Sequence, residues 1–391
     1  MEIFRKMTNE CIRIGLEWQR KTGHTPSMKR LCALSYHFVK RFGGYSQYRL
    51  NAISMAAGIL YARAKSVTRG FPENSPYLSK SVLVSCYGFK IEGKCLEIHL
   101  DSSRFVSIQL NDHTLLALSE PTSTVRSFTL TTKSLSLCIA RDVKKAESKD
   151  LKGVIGIDRN LTNLAVGNWD EVTLYDVNKV VEVGRITRDI MKSFKRNDVR
   201  IRKRLFSKYG RRKRERIERI LHMVTKEIVE RAKLRNQAIV FEDIRGIRTL
   251  YRKGNGQSRS YRYKMNSWPF HEVKRQVEYK AAWEGIPVVT LTRSETKGTT
   301  VDCPRCGKRS QVPVRSDGKH HRQLWCEGCR RWMDRDIAAV LNISRRGWLR
   351  FDHSSTEGEA GEAVKRDAEH EGKPLILRVD ASKLRRQAVA Q

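Results

Sequence analysis

Four cysteines and three carboxylates are the residues whose type and spacing can do chemistry in this chain. Cys303 and Cys306 form one CxxC step in CPRCG, and Cys326 and Cys329 form a second in WCEGC. The separation of the two steps is that of a four-cysteine zinc ribbon. Each step suits a tight turn, with Gly307 and Gly328 expected to supply the permissive backbone. Four thiolates leave no open position on a tetrahedral ion, so the sequence predicts one structural zinc. His320 and His321, between the steps, are substitute ligands that a site already closed by sulfur does not need. Two disulfides are the competing reading, and CxxC steps with glycine favour zinc over them.

Seven residues after Cys329 stands Asp336, in WMDRDIAAVLNI. Ile337, Val340, Leu341 and Ile343 follow at helical spacing, which puts Asp336 at a helix start, where an N-cap is the plainer reading. Two other acids change that balance. GVIGIDRN (153–160) is an apolar run of the kind a central strand shows, ending in Asp158. AIVFEDI (238–244) is a second such run, ending in Glu242. A carboxylate is costly to bury without a cation or a donor, which makes Asp158 a candidate ligand. If the two strands are neighbours and the helix crosses them, the three acids converge. Such a set binds hard divalent cations through oxygen, and two such ions can clamp a phosphodiester. Asp334 is the rival third ligand in the same DRD run. Arg245 and Arg248, after Glu242, read equally as contacts to a cut strand or as surface charge.

The elements that position these residues come from patterning. Residues 2 to about 67 read as helices, in runs near 2–21, 27–42 and 45–66, broken at 22–26. From about 80 to 140, short alternating runs predict an antiparallel sheet or a small β-barrel. Phe89, Phe105 and Phe128 are expected in its core, and Cys86 and Cys95 read as core rather than as ligands. LTNLAVGN (161–168) is expected to form a hairpin with the Asp158 strand. Residues 186–235 read as a basic helical pair with Phe194, Leu205, Phe206, Ile217 and Ile220 as its seam. KMNSWPFHEVKRQVEYKAAWEGI reads as one helix with Trp268, Val273, Val277 and Ala281 inward, followed by the strand PVVTLT (287–292). A strand-rich run with interspersed helices outlines an α/β domain with a mixed sheet.

Charge narrows the partners. Lysine and arginine number 77 against 42 acids in 391 residues, a net charge of +35. That excess calls for a polyanion, and nucleic acid is the foremost choice. No segment has the apolar length to span a bilayer, and no secretory leader is visible at Met1. The five cysteines outside the CxxC steps form no framework, which suits a reducing cytoplasm. Lys195, Arg196, Arg200, Arg202, Lys203, Arg204, Arg211, Arg212, Lys213 and Arg214 cluster in the basic helical region, and from Lys195 to Arg214 only Asp198 offsets them. They are expected to contact phosphates, which gives affinity rather than sequence choice.

GIDRN with AVGN, VFEDIRG, the WPFHEVKRQVEYKAAWEGI segment and CPRCG…WCEGC…DRDIAAVLNI, in this order, resemble TnpB. That family comprises RNA-guided DNA endonucleases of insertion sequences, related to type V CRISPR effectors and once described as transposases. The resemblance covers residues 151–343. It implies a multidomain α+β protein whose nuclease domain is RuvC-like, of the RNase H fold. Asp158, Glu242 and Asp336 would be its ligands for two magnesium or manganese ions, and the zinc ribbon an insertion that loads the target strand. The implied division is a helical recognition part (1–75), a wedge-like β part (76–150), the nuclease domain (151–302 and 330–345), the ribbon (303–329) and a largely disordered tail (346–391). Implied partners are a guide RNA from the transposon end and target DNA. The expected location is cytoplasmic, with the nucleoid, and monomer and dimer fit equally. The chain departs from the family at Ala338, where an Asn is usual, so helper interactions there are expected to be missing. It also opens in helical pattern where relatives open with a strand, which suggests an internal start and a wedge short of one strand.

A transposase joining DNA ends shares the three-acid chemistry. A repressor or zinc-ribbon DNA-binding protein would not need it, and relatives of that kind are expected to lose acids that are all present here.

Overall fold

The computed structural model describes residues 1–101, 103–147, 150–194, 199–312, 322–352 and 374–384. The chain forms two compact units, Met1–Asp142 and Val143–Gln391. Among the described residues no helix is long and apolar enough to cross a membrane.

The first unit opens with α1 (Glu2–Thr22), α2 (Met28–Lys40) and α3 (Ser46–Thr68). Phe4, Met7 and Cys11 recur along α1 at helical spacing and are all buried. The helix stops at Gly23, in the left-handed conformation at φ 74°. The side chain of Ser27 caps α2 by accepting from the Arg30 amide. There follow β1 (Val82–Ser85), β2 (Phe89–Glu92), β3 (Cys95–His99), β4 (Phe105–Gln109), the short α4 (Asp112–Leu118), β5 (Ser123–Thr131) and β6 (Leu135–Arg141). These make two three-stranded antiparallel sheets, β1-β5-β6 and β2-β3-β4; of the two forms expected, the antiparallel sheet is present and the small barrel is not. The helix α4, unread in the sequence and capped by Asn111, interrupts the run of strands. Phe128 is buried and Phe89 packs edge-on against it, with ring centroids 5.5 Å apart. Phe105 is 48% exposed, so the expectation that it lies in the core is wrong. It sits on β4, an edge strand with one neighbour. One core, including Phe4, Leu31, Ile53, Leu96 and Phe128, serves both the helices and the sheets.

The second unit is built on a six-stranded sheet. Its elements are β7 (Gly153–Arg159), β8 (Asn163–Gly167), β9 (Glu171–Asp176), α5 (Asn178–Ser193), α6 (Val199–Leu234), β10 (Gln237–Phe241), α7 (Arg259–Ser267), α8 (Phe270–Trp283), β11 (Val288–Thr290), α9 (Arg293–Thr296), β12 (Gln323–Cys326), β13 (Arg331–Asp334), α10 (Arg335–Asp352) and β14 (Leu375–Asp380). The order is β11-β10-β7-β8-β9-β14. Strands β7, β8 and β9 form an antiparallel meander, β10 and β11 run parallel to β7, and β14 runs parallel to β9. The expected hairpin of β7 with β8 is present. The single helix expected at 264–286 is two helices, because Pro269 holds Trp268 in extended backbone (φ −73°, ψ 134°). Helix α5 begins at Asn178, ahead of the expected 186.

Alternation along the strands sorts the two faces of this sheet. Ile155, Ile157, Ile239 and Phe241 point to one face and join a core with Leu221, Val224, Val273 and Val277 of α6 and α8. Val154, Ala238 and Val240 point to the other and pack with Ile343 of α10. Gly156 lets α10 approach closely, because a Cβ there would lie 2.6 Å from the Val340 carbonyl oxygen.

Candidate metal centres

Parity along the strands delivers the acids to one face. Asp158 stands two residues beyond Gly156, and Glu242 two beyond Val240, so both turn toward α10. Ile157 pairs with Phe241 in parallel register, so Asp158 and Glu242 follow at adjacent strand ends. Asp336 enters from the first turn of α10, which packs across β7 and β8. All three carboxylates are buried. The helix is capped by Asp334, whose Oδ1 accepts from the amides of Asp336 (2.8 Å) and Ile337 (3.2 Å). Asp334 therefore does the capping, and the carboxylate of Asp336 is left for other work.

Each acid is held by polar neighbours. Asn160 Nδ2 donates to Asp158 Oδ2 (2.7 Å), and Asn163 Nδ2 donates to Asp336 Oδ2 (2.9 Å). Arg159 donates its backbone amide to Glu242 Oε1 (3.3 Å), and its guanidinium to the carbonyls of Glu242 (2.9 Å) and Phe270 (3.1 Å). Arg322, at the foot of the ribbon, sets Nη2 2.8 Å and 2.6 Å from the two oxygens of Asp336. Burial, then the charges of Glu242 and Asp336, hold the Asp158 carboxyl well above its usual range. Burial also raises Glu242, with the Arg159 cation opposing. The contacts of Arg159, Asn163 and Arg322 are not among the sequence expectations. Only the adjacency of Arg159 to Asp158 signals the first of them.

The donor set fits a divalent cation. It offers hard oxygen ligands in a buried place, beside the unpartnered buried Oδ1 of Asn163. Arg322 is paired to Asp336 and Arg159 lies 3.7 Å from Glu242, and the three sets of ligand oxygens are not all within 4.8 Å of one another. Next to Glu242 a cleft of about 750 Å³ is lined by Arg248, His271 and Lys274 among others. Arg245 is spoken for by Asp243, with Nη2 2.8 Å from its carboxylate.

The four cysteines are the tighter group. Among the described residues they alone make a set of three or more metal-type side chains whose ligand atoms all lie within 4.8 Å of one another. Sγ of Cys306 is 3.4 Å from that of Cys326, and Cys303 and Cys329 are 3.8 Å apart. Tetrahedral zinc with Zn–S near 2.3 Å requires about 3.8 Å between sulfurs. None of the four is in a disulfide. At the first turn Gly307 takes φ 71° as expected, but at the second the positive φ falls on Arg330 (47°), not Gly328. Gly328 serves by lacking a side chain, since a Cβ there would lie 3.2 Å from Cys306 Sγ. Asn342 of α10 donates to the carbonyls of Thr299 (2.9 Å) and Asp302 (2.8 Å), tying the ribbon's entry to the helix. Ala338, where the family's Asn was expected, is fully buried.

Of the cations expected to meet phosphate, Lys203, Arg204, Arg211, Arg212 and Arg214 are exposed on α6. Arg202 is half-buried over the Phe206 ring, and Lys213 is half-buried, its pKa pushed down by burial. Lys195, Arg196, His320 and His321 lie outside the described residues, as does the side chain of Arg200. So do 353–373 and 385–391 of the tail, within which β14 pairs at the sheet's edge.

Residues 270–343 match the family model of the Cas12f1-like TNB domain. A TnpB-like protein of Methanocaldococcus jannaschii is 27% identical over 271 residues, spanning 66% of this chain and 92% of that protein. Both comparisons support a TnpB-family protein. The Cas12f1 chain of a Cas12f1–sgRNA–target DNA complex superimposes with a TM-score of 0.52, covering 88% of this chain and 81% of that one. At 12% identity that likeness concerns the α+β fold alone.

Proposed function

We propose that this TnpB-family chain is a guide-RNA-dependent DNA endonuclease with a RuvC-like, RNase H-type nuclease domain. What supports the reading is that Asp158, Glu242 and Asp336, from β7, the end of β10 and the start of α10, are buried on one face of the sheet, near enough for the charges of Glu242 and Asp336 to raise the Asp158 carboxyl. In this reading the three side chains hold two magnesium or manganese ions. Such ions, when bound, polarise the phosphodiester and favour deprotonation of the attacking water.

The chain's own residues supply placement. Arg159 fixes the strand end that bears Glu242, through two carbonyls and the carboxylate. Asn160 and Asn163 fix the oxygens of Asp158 and Asp336. Arg322 partly neutralises Asp336 from the ribbon side. The exposed cations of α6 draw in the sugar-phosphate backbone without reading sequence, and pairing with the RNA selects the target. The cysteines hold a structural zinc with no open position, so the ribbon contributes shape rather than a second reaction centre. A guide RNA and a target DNA are the partners named for the Cas12f1 complex, and we carry them over to this chain.

The test is cleavage by protein purified with its co-expressed RNA, wild type beside Asp158→Ala. Cutting of a matched DNA by the wild type alone supports the nuclease. Joined rather than hydrolysed ends point to a transposase. RNA retention with cutting by neither protein points to a repressor.

A further inference from the structure

The tail strand β14 lies outside both candidate metal centres. It buries little of its own apolar surface, for Leu375, Ile376 and Leu377 are each 40% exposed or more. Yet it is held in register along the whole of β9, from Leu375 opposite Glu171 to Asp380 opposite Asp176. The Leu375 amide donates to the Asp170 carbonyl (3.0 Å) and the Ala381 amide to that of Asp176 (3.0 Å). Ala381 itself is buried in the core of the second unit. Docking of β14 thus adds little to the core and fixes the place of what the strand presents.

What it presents is Arg378. Asp158 pairs with Ala165, Ala165 with Leu174 and Leu174 with Arg378, one row running across four strands. Directly paired residues share a face of the sheet. Ala165 and Leu174 pack with Val340 and Leu341 of α10, so the row lies on the face that carries the acids. Three strand spacings of about 4.8 Å put the Arg378 backbone about 14 Å from that of Asp158. Arg378 is exposed, and among the described residues its guanidinium has no hydrogen-bond or ion-pair partner. Beside it an opening of about 430 Å³ is lined by Asn163, Leu174, Asp176 and Asp380 among others. The same Asn163 donates to Asp336 Oδ2 at 2.9 Å, so the opening adjoins the acids. Asp176 and Asp380 serve local turns, their Oδ1 atoms accepting from the amides of Asn178 (2.8 Å) and Ser382 (2.9 Å). Two carboxylates so near disfavour a small free anion, but not a polyanion already held at its other phosphates.

We propose that Arg378, carried by the tail strand, binds a phosphate of the DNA strand being cut, to one side of the bond that faces Asp158, Glu242 and Asp336. The DNA strand then passes over β8 and β9 between the carboxylates and β14. A guanidinium meets a phosphate with two parallel donors, which fixes the strand's path without reading its bases. The inference rests on the nuclease reading for the identity of the bound strand, and it makes the tail part of the substrate site.

The test uses the full-length protein with its co-expressed RNA and a matched DNA whose cut strand carries one uncharged methylphosphonate, moved along its length. In the wild type, a methylphosphonate at one position beside the cut should slow cutting about tenfold, the lower end for a hydrogen bond to a charged group. Arg378→Gln should slow cutting of unmodified DNA about tenfold and lose sensitivity at that position. Arg378→Lys, which keeps a phosphate-binding charge, should stay within about threefold of the wild type. A second measurement needs no cutting. In protein silenced by Asp158→Asn, Arg378→Cys is offered DNA with a thiol tethered to one phosphate at a time, beside the same protein with Arg378 retained. A disulfide confined to neighbouring phosphates, and absent where Arg378 is retained, supports the proposal. Cross-linking no stronger than in the protein with Arg378 retained overturns it. So does a wild-type methylphosphonate scan that Arg378→Gln leaves unchanged. Failure of the nuclease reading looks different: the wild type cuts nothing, and the cross-link alone then decides whether a phosphate lies at position 378.

Discussion

Asp334 caps the helix that carries Asp336, accepting the Asp336 amide at 2.8 Å while the Asp336 carboxylate faces Asn163 and Arg322. Two acids two positions apart thus have separable tasks. Asp334→Ala should cost about 1 kcal/mol of stability, the usual loss for an N-cap. Asp336→Asn should leave the cap and the denaturation midpoint nearly unchanged while abolishing cutting. Chemical denaturation beside a cleavage assay checks both. The reverse pattern would mean that the roles are exchanged.

Arg159 is the residue on which the Glu242 end of the site depends. Its side chain is 2% exposed and lies over the Phe241 ring, 5.1 Å from its centroid. Arg159→Met keeps the backbone donor to Glu242 but removes the cation 3.7 Å from its buried carboxylate and leaves two carbonyls without their donor, so it should cost about 3–5 kcal/mol. Arg159→Lys restores the charge without the forked geometry and should fall between. Urea unfolding of both variants tests this, and equal stability of Arg159→Met and wild type would contradict it.

Zinc should be found at one ion per chain and should matter to the ribbon alone. Removing it by chelation, or replacing Cys303 with serine, should abolish cutting. The six-stranded sheet should keep its circular dichroism, because its core lies apart from the cysteines. Global unfolding on chelation would show that the ribbon holds the whole unit together.

Acid sensitivity should report on Glu272 at the start of α8. The Arg275 guanidinium, 2.6 Å away, and then Gln276 hold its carboxyl down to about 2 from an ordinary 4.5. A carboxyl depressed in the folded state adds stability above its unfolded pKa, and loses it as pH falls through the folded one. The window is therefore about pH 4.5 down to 2. Arg275 is half exposed, so screening limits the effect to about 1 kcal/mol. Glu272→Gln should flatten the acid limb of the stability curve by that amount. An unchanged limb would contradict the assignment.

What could be read from the sequence was local. Continuous apolar runs marked β7 and β10 because both faces of those strands are buried, and the runs end where Asp158 and Glu242 begin. Helical spacing after Asp336 marked α10 for the same reason. Strand β9 escaped because Glu171 and Thr173 make it look like surface. Their polarity is met from the end of α6 and the residue just after it, Arg231 and Arg235, which lie 3.0 Å and 2.7 Å from Glu171. The pairing of β14 with β9 and the reach of Arg322 to Asp336 join segments distant in sequence, which no local pattern encodes. The barrel expectation failed differently: alternation reveals strands but not whether their sheet closes.

The central claim is that Asp158, Glu242 and Asp336 jointly bind divalent cations. Its most direct test is anomalous diffraction from crystals of the protein soaked in manganese. The account predicts manganese peaks in contact with oxygens of all three carboxylates, with Arg322 displaced from Asp336 or sharing it. Crystals that show no manganese there, or manganese held by other residues while Arg322 keeps both Asp336 oxygens, would contradict it.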